Sequence, residues 1–438
     1  MKHQYIIMKK YIYLSAMVIA MSLAACAPSE VEDLFDESAA ARLDNAVNNY
    51  TEYFKKDGGR WLMQYFANAD EEGVNFILNF KNDGSVEIST QNVNVGDGTF
   101  QSDVSLWQVV ADYGPVLSFN TYNKVFHEFS SPQSDGTGHG GDYEFIIIGT
   151  EDNQAHLRGK KTGIDIIMTR LGSDVAATDA DYFAAYTAKR AKAFNARLTD
   201  YVLTTANGKR YICNDVSTMI WSFYPEDGTL LDNGEYMNAI MTLDGLRFMQ
   251  PLDFVTEYNE NDVPLQNFKF QNDGSLLCTD DGASLITGPA PVDALQQTTV
   301  TWTFNASGFG GEFATAYTDL VAQCKEAPFK QTFNWMQLRM YQGKFGIYFK
   351  NGRYTGNIYL GIERIDGNTV KFTFDPNDDA SFDANGKTHY TRLEAMQRML
   401  SLLTSTEFTL SSESAMVPNP MVGTSKANSA NSFTIGFQ

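Results

Sequence analysis

Across residues 60–171 apolar and polar positions alternate in short runs. Trp61, Met63 and Tyr65 form one set, Phe76, Leu78 and Phe80 another, then Val86 with Ile88 and Val104 with Leu106, with further runs at 116–119, 143–148 and 164–168. A period of two turns alternate side chains to one face, and turn signals such as Asn82-Asp83-Gly84 separate the runs, so the tract predicts seven or more antiparallel strands closing into a sandwich or barrel. Ahead of it the period lengthens. Ala40, Leu43, Val47, Tyr50 and Phe54 recur at three and four residues, predicting a helix over 36–56 that Asp57-Gly58-Gly59 ends.

The second half repeats this alternation of periods. Residues 179–203 predict a helix with Phe183, Tyr186, Ala193 or Phe194, and Leu198 inward; strands are predicted at 209–224, 239–249, 266–279 and 300–304, then a short helix at 310–326. Strands follow at 344–348, 357–365 and 369–374, a last helix at 388–404, and two strands within 406–437. Segments 76–89 and 268–279 both run aromatic-x-aromatic, Asn-Asp-Gly-Ser, then strand, and each lies beyond a helix and a tryptophan, Trp61 or Trp221. This reads either as duplication of a helix-plus-meander unit or as one favoured tight turn used twice. The expected class is α+β, mostly antiparallel β, with helix-plus-β-meander units forming lipocalin-like barrels or sandwiches. Two domains are expected, 36–175 and 176–438, the latter β-rich with helices near 179–203, 310–326 and 388–404.

Residues 1–25 break this pattern. Lys9 and Lys10 precede the apolar stretch 11–21, which is too short to span a bilayer permanently, and Leu23-Ala24-Ala25-Cys26 follows. That order reads as a signal peptide ending in a lipobox, cut before Cys26, whose acyl chains tether the protein to a bilayer with roughly 0.8 kcal/mol per buried methylene. An acidic linker, 26–35, carries Glu30, Glu32 and Asp33 beside the lipid, with Asp36 and Glu37 just beyond. It resembles the export signal of surface-exposed lipoproteins, which places the chain on the outer membrane facing outward; an ordinary solvated linker has the same composition.

The 438 residues carry 33 basic and 53 acidic side chains, a net charge of −20; loss of Lys2, Lys9 and Lys10 with the leader makes this 30 against 53, or −23. Such a surface repels phosphate backbones, so nucleic acid is excluded as a partner. Once Cys26 is acylated, Cys213, Cys278 and Cys324 remain, an odd number without zinc-site spacing, leaving buried thiols or one disulfide.

Motifs of chemistry are sparse. His127, His139, His156 and His389 are scattered, His127-Glu128 has no second histidine one turn on, and neither a nucleophile elbow nor a phosphate-binding loop occurs. No catalytic residue, metal or cofactor is expected. Asp375, Asp378, Asp379, Asp383 and Asn385 offer oxygen ligands, but Ala380 stands where a calcium loop needs its turn glycine, and a solvated acidic turn is the competing reading. In the loop 135–142 glycines let the backbone approach a ligand, with His139 and Asp142 to orient a polar group; a plain hairpin connection is the alternative. Trp61 and Trp107 are candidate stacking platforms, set against burial in the core.

The runs Leu117-Ser118-Phe119-Asn120-Thr121-Tyr122, His127-Glu128-Phe129-Ser130-Ser131-Pro132, Gly140-Gly141-Asp142-Tyr143-Glu144-Phe145, Gly159-Lys160-Lys161-Thr162-Gly163 and Met168-Thr169-Arg170-Leu171 resemble an uncharacterised domain family of Bacteroidota lipoproteins, over nearly the whole mature chain. The resemblance implies a lipocalin-like first half and a place beside starch-utilisation-type outer-membrane uptake systems and zinc-peptidase-like proteins. It transfers no catalytic residues. The combined expectation is a surface-tethered, non-catalytic accessory that binds a glycan or peptide nutrient for an uptake complex. Its rivals are a structural subunit contacting protein partners alone and an extracellular hydrolase.

Overall fold

A computed structural model describes residues 37–130, 138–227, 236–255 and 263–437. The leader, Cys26 and the linker 26–35 lie outside the described residues, as do residues 135–137 of the glycine-rich loop. No described helix is long and apolar enough to cross a membrane.

Mostly antiparallel β-structure arises as the alternation predicts, in three sheets. The first holds β1 Arg60–Tyr65, β2 Val74–Phe80, β3 Ser85–Asn92, β4 Val95–Leu106, β5 Gln108–Ala111, β6 Pro115–Ser118, β7 Glu144–Thr150, β8 Gln154–Gly159 and β9 Asp165–Arg170. Its order is β4-β3-β2-β1-β9-β8-β7-β6-β5, and β4 runs on into β5 through Trp107, so the sheet curls into a barrel-like form. Trp61, Met63 and Tyr65 point into its core while Leu62 and Gln64 face outward, the period-two split of a half-buried strand. Helix Ala39–Lys55, capped by the Ser38 hydroxyl accepting from Ala41 N–H at 3.2 Å, packs against β5 and β6 and buries Phe54.

The middle sheet is a closed barrel of eight sequential strands, β10 Tyr201–Thr204 to β17 Leu285–Thr287, with β10 pairing back to β17. The third runs from Thr301–Phe304 to Ser432–Gly436, and when its strands are counted from its own first, their order is that of the first sheet. Trp61 and Trp302 are second residues of the equivalent opening strands. The sequence repeat is therefore corrected. Asn82-Asp83-Gly84 joins the second and third strands of the first sheet, whereas Asn272-Asp273-Gly274 joins the sixth and seventh of the middle barrel, and Trp221 sits on that barrel's third strand. The shared Asn-Asp-Gly is turn chemistry; each aspartate accepts from the serine two residues on.

Side chains fill the barrels. One apolar core belongs to the first sheet, and a second runs without a break through the middle barrel and the third sheet. Eight strands enclose an interior just wide enough for side chains.

Three elements end differently from expectation. The helix predicted over 179–203 stops at Ala193, because Phe194 turns extended, the Asn195 side chain takes Arg197 N–H at 2.9 Å, and Tyr201 opens β10. The 388–404 helix is two, Ala384–Arg392 and Glu394–Thr404, broken where Leu393 adopts φ −115°. Residues 407–436 hold three strands, not two. The carboxylates of the suspected calcium loop are engaged within the chain: Asp375 accepts from Asn377 N–H, Asp378 from Ala380 N–H, Asp383 caps the following helix at Gly386 N–H, and Asp379 pairs with Lys387. Cys213, Cys278 and Cys324 are buried free thiols, and burial pushes Cys278 up to about 12 and Cys324 to about 11.

Two buried histidines predict a pH dependence. His389 stacks on Phe329 with centroids 4.1 Å apart, its Nδ1–H donates to the Asn385 carbonyl at 2.8 Å, and Nε2 accepts from Asn351 at 3.2 Å. His127 Nδ1 accepts from Asn123 N–H at 3.1 Å. Both rings must be neutral to accept, and burial holds both below the ordinary histidine pKa. The unfolded chain thus binds more protons near pH 6, so stability is fully present above about 6.5 and falls as pH drops through and below it. Urea midpoints at pH 7.5 and 5.0 are expected to show this loss, and His389→Gln to shrink it; an unchanged slope in that variant refutes the assignment.

Candidate functional site

The outer face of the first sheet packs against the middle barrel. Gly73 N–H donates to Ala239 O at 3.1 Å, Asn75 Nδ2 to Met241 O at 2.7 Å, and Asn238 Nδ2 to Ala69 O and Glu71 O. Helix Asp179–Ala193 clamps the joint, started by a Thr178–Asp181 capping box. Its Asp179 takes Arg60 Nε at 2.9 Å, Asn79 Nδ2 at 2.7 Å and the Ser89 hydroxyl at 3.1 Å, while Arg190 reaches Glu72 at 2.8 Å and Ser217 O at 3.0 Å.

Between these contacts the faces part. One hollow of about 520 Å³ and a second of about 290 Å³ share Ile167, Arg247 and Asn267 as lining. Their combined size falls in the roughly 300–1,000 Å³ range of small-molecule sites. One wall is the outward set of β1, β8 and β9, where Gln64 pairs with Ile167 and Ile167 with His156; the other is β14 Gly245–Leu252 and β15 Leu265–Phe270, where Arg247 pairs with Asn267.

Arg247 is the group that stands out. Leu246 and Phe248 enter the barrel core, so strand alternation turns Arg247 outward, where the first sheet covers it to 6% exposure. Its one hydrogen bond is from Nη2 to the Asp165 carbonyl at a long 3.4 Å, and Nε and Nη1 have no partner among the described residues. The Asp165 carboxylate is engaged at the surface by Arg158 Nε at 2.7 Å. Burial pushes the Arg247 pKa down to about 10, and the nearby Asp165 charge offsets only part of that shift. Across the cleft, Gln64 Oε1 is buried and unpaired among the described residues. Unsatisfied buried donors are costly, and a guanidinium offers a planar fork to any acceptor that enters.

The candidates from sequence fall elsewhere, for structural reasons. Trp61 is 0% exposed, its indole N–H donates to Phe54 O at 2.9 Å, and the Arg170 guanidinium lies 4.1 Å above its ring. Trp107, 6% exposed, packs edge-on against Phe80 at 4.5 Å. Neither ring offers a face to a ligand, which corrects both expectations. His139 does not open onto the cleft: Nδ1 lies 2.6 Å from Glu71 and the ring leans on Phe129. Asp142, 4% exposed, accepts from Lys161 N–H at 2.5 Å, from Thr162 N–H at 3.0 Å and from the Thr162 hydroxyl, so it orients a turn instead of a ligand. That turn carries Thr162 and Gly163, which form a rim of the larger hollow. Gly141 is required by close approach, since a Cβ there would stand 2.0 Å from Tyr65 Oη. Sequence reading missed Arg247; a lone cation in the apolar run Leu246-Arg247-Phe248-Met249 was its signal, but an outward strand position ordinarily meets water.

The domain of unknown function DUF4302 matches residues 31–270, more than half of the chain. The chain belongs to this family. The DUF4302 span closes on Phe270, the last residue of β15, so it takes in the first sheet, the clamp helix and both walls of the cleft, Arg247 included. No curated protein matches the chain.

Proposed function

We propose that this DUF4302 chain is a lipid-tethered, non-catalytic accessory that holds a nutrient-derived ligand at the outer face of a Bacteroidota-type outer membrane, for an uptake complex. The observation that carries the binding half of this reading is the cleft: the barrel interiors are packed with side chains, while the space between the first sheet and the middle barrel combines apolar lining with an unpaired buried cation. Support for the tether is the order of basic residues, short apolar stretch, small residues and Cys26 in the leader.

Cys26→Ala is expected to move the protein from the membrane fraction to the soluble one, since loss of the acyl chains removes the anchoring free energy. An unchanged membrane fraction in that variant refutes the anchor. Binding is tested on glycan and peptide arrays with the 35–438 chain; retention on neither class refutes capture.

A further inference from the structure

We propose that the Arg247 guanidinium anchors the terminal carboxylate of a short peptide lying in the cleft between the first sheet and the middle barrel. This rests on the cleft being the binding site.

The arginine argues for an acid. Only Nη2 is engaged, and weakly, so the planar fork can still offer a carboxylate two parallel N–H bonds, the geometry in which arginine surpasses lysine. In the covered environment these bonds are not diluted by competing water. Folding repays little of the charge: the guanidinium lies over the Phe66 ring only at 5.9 Å and makes no ion pair with Asp165 among the described residues, while the neighbouring outward position on the same strand, Met249, packs with Phe66 and Ile240 in a small apolar cluster. A buried cation so weakly compensated is destabilising, so an apolar side chain at 247 is the cheaper choice for the empty protein.

The lining argues for a peptide. Ile148, Ile164, Ile167, Met249 and Pro251 supply apolar surface for side chains in the larger hollow, and Gln250, Gln266 and Asn267 supply amides that match a peptide backbone. No Phe, Tyr or Trp is among the described residues lining that hollow, and Tyr182 and Phe268, which line the smaller one, are buried at 1% and 4% exposure, so neither presents a free flat ring on which a sugar stacks. Overall charge points the same way. At −20 the chain repels a polyanion at long range, whereas a peptide with one terminal carboxylate and one terminal ammonium carries no net charge to repel.

The test uses the purified chain and a randomised tripeptide library made twice, with free C-termini and as carboxamides, retained peptides being read by mass spectrometry. Free acids are expected to be retained at least about tenfold over the amides. Arg247→Met is expected to abolish that preference and to raise the melting temperature of the unliganded chain, and Arg247→Lys, which keeps the charge without the fork, to fall between. Equal retention of acids and amides, both lost in the cleft-blocking variant Ile164→Trp, overturns the arginine assignment and leaves the cleft as the binding site. No retention of either library overturns the peptide assignment, and retention indifferent to Ile164→Trp overturns the cleft as the binding site as well. Retention of oligogalacturonate through Arg247 in place of peptides overturns the ligand class, and a lowered melting temperature in Arg247→Met overturns the functional role in favour of a structural one.

Discussion

Trp61→Ala is expected to destabilise the first sheet by about 3–5 kcal/mol, the usual cost of emptying a buried tryptophan site. Three losses combine. The indole leaves a cavity among Phe54, Tyr53 and the strand core, the Phe54 carbonyl loses its donor, and the Arg170 guanidinium, itself donating to Tyr53 O at 3.0 Å, loses the ring it covers. The damage is expected to stay local, because the first sheet owns an apolar core separate from the one shared by the middle barrel and third sheet. Hydrogen exchange read by mass spectrometry should show protection falling in peptides from 60–170 before those from 201–287. Loss spread evenly over both would mean that the cleft contacts couple the units more tightly than the two cores suggest.

What the sequence made legible follows from the range of the forces involved. Alternation is a local signal, so the strands around Trp61, Phe76, Val86 and Ile147 could be placed from their own neighbours, as could helix Ala39–Lys55 from its apolar spacing and its cap. Helix ends were less accessible. Residues 194–203 keep helical spacing, yet Tyr201, Val202 and Leu203 are needed as the strand that closes the barrel against β17, and tertiary pairing overrides the local pattern. The equivalence of the first and third sheets was hidden because topology does not require shared residues; the Asn-Asp-Gly match drew attention to turns that occupy different places in their barrels.

The candidate site was legible only in its rim. A buried charge is recognised by what covers it, and the cover over Arg247 comes from Ile167 and Gln64, some eighty and one hundred and eighty positions away in sequence. Composition could flag Trp61 and Trp107 as rings without saying which face is wet, and strand alternation then settles them inside.

Asp142 shows how a residue flagged for binding can serve the cleft without touching a ligand. Asp142→Ala is expected to strand the N–H groups of Lys161 and Thr162; a donor left fully buried costs about 1–3 kcal/mol, and the exposed Lys161 and half-buried Thr162 recover part of that from water. The carboxamide of Asp142→Asn keeps one acceptor oxygen, so that variant should fall between, and urea midpoints rank the three. Binding is expected to follow stability, because the turn these bonds hold carries Thr162 and Gly163 at the rim of the larger hollow. The two roles separate in one measurement. If Asp142 contacted ligand directly, Asp142→Asn would lose tripeptide retention at an unchanged urea midpoint, whereas a turn-holding carboxylate lets the midpoint fall first and retention decline with it.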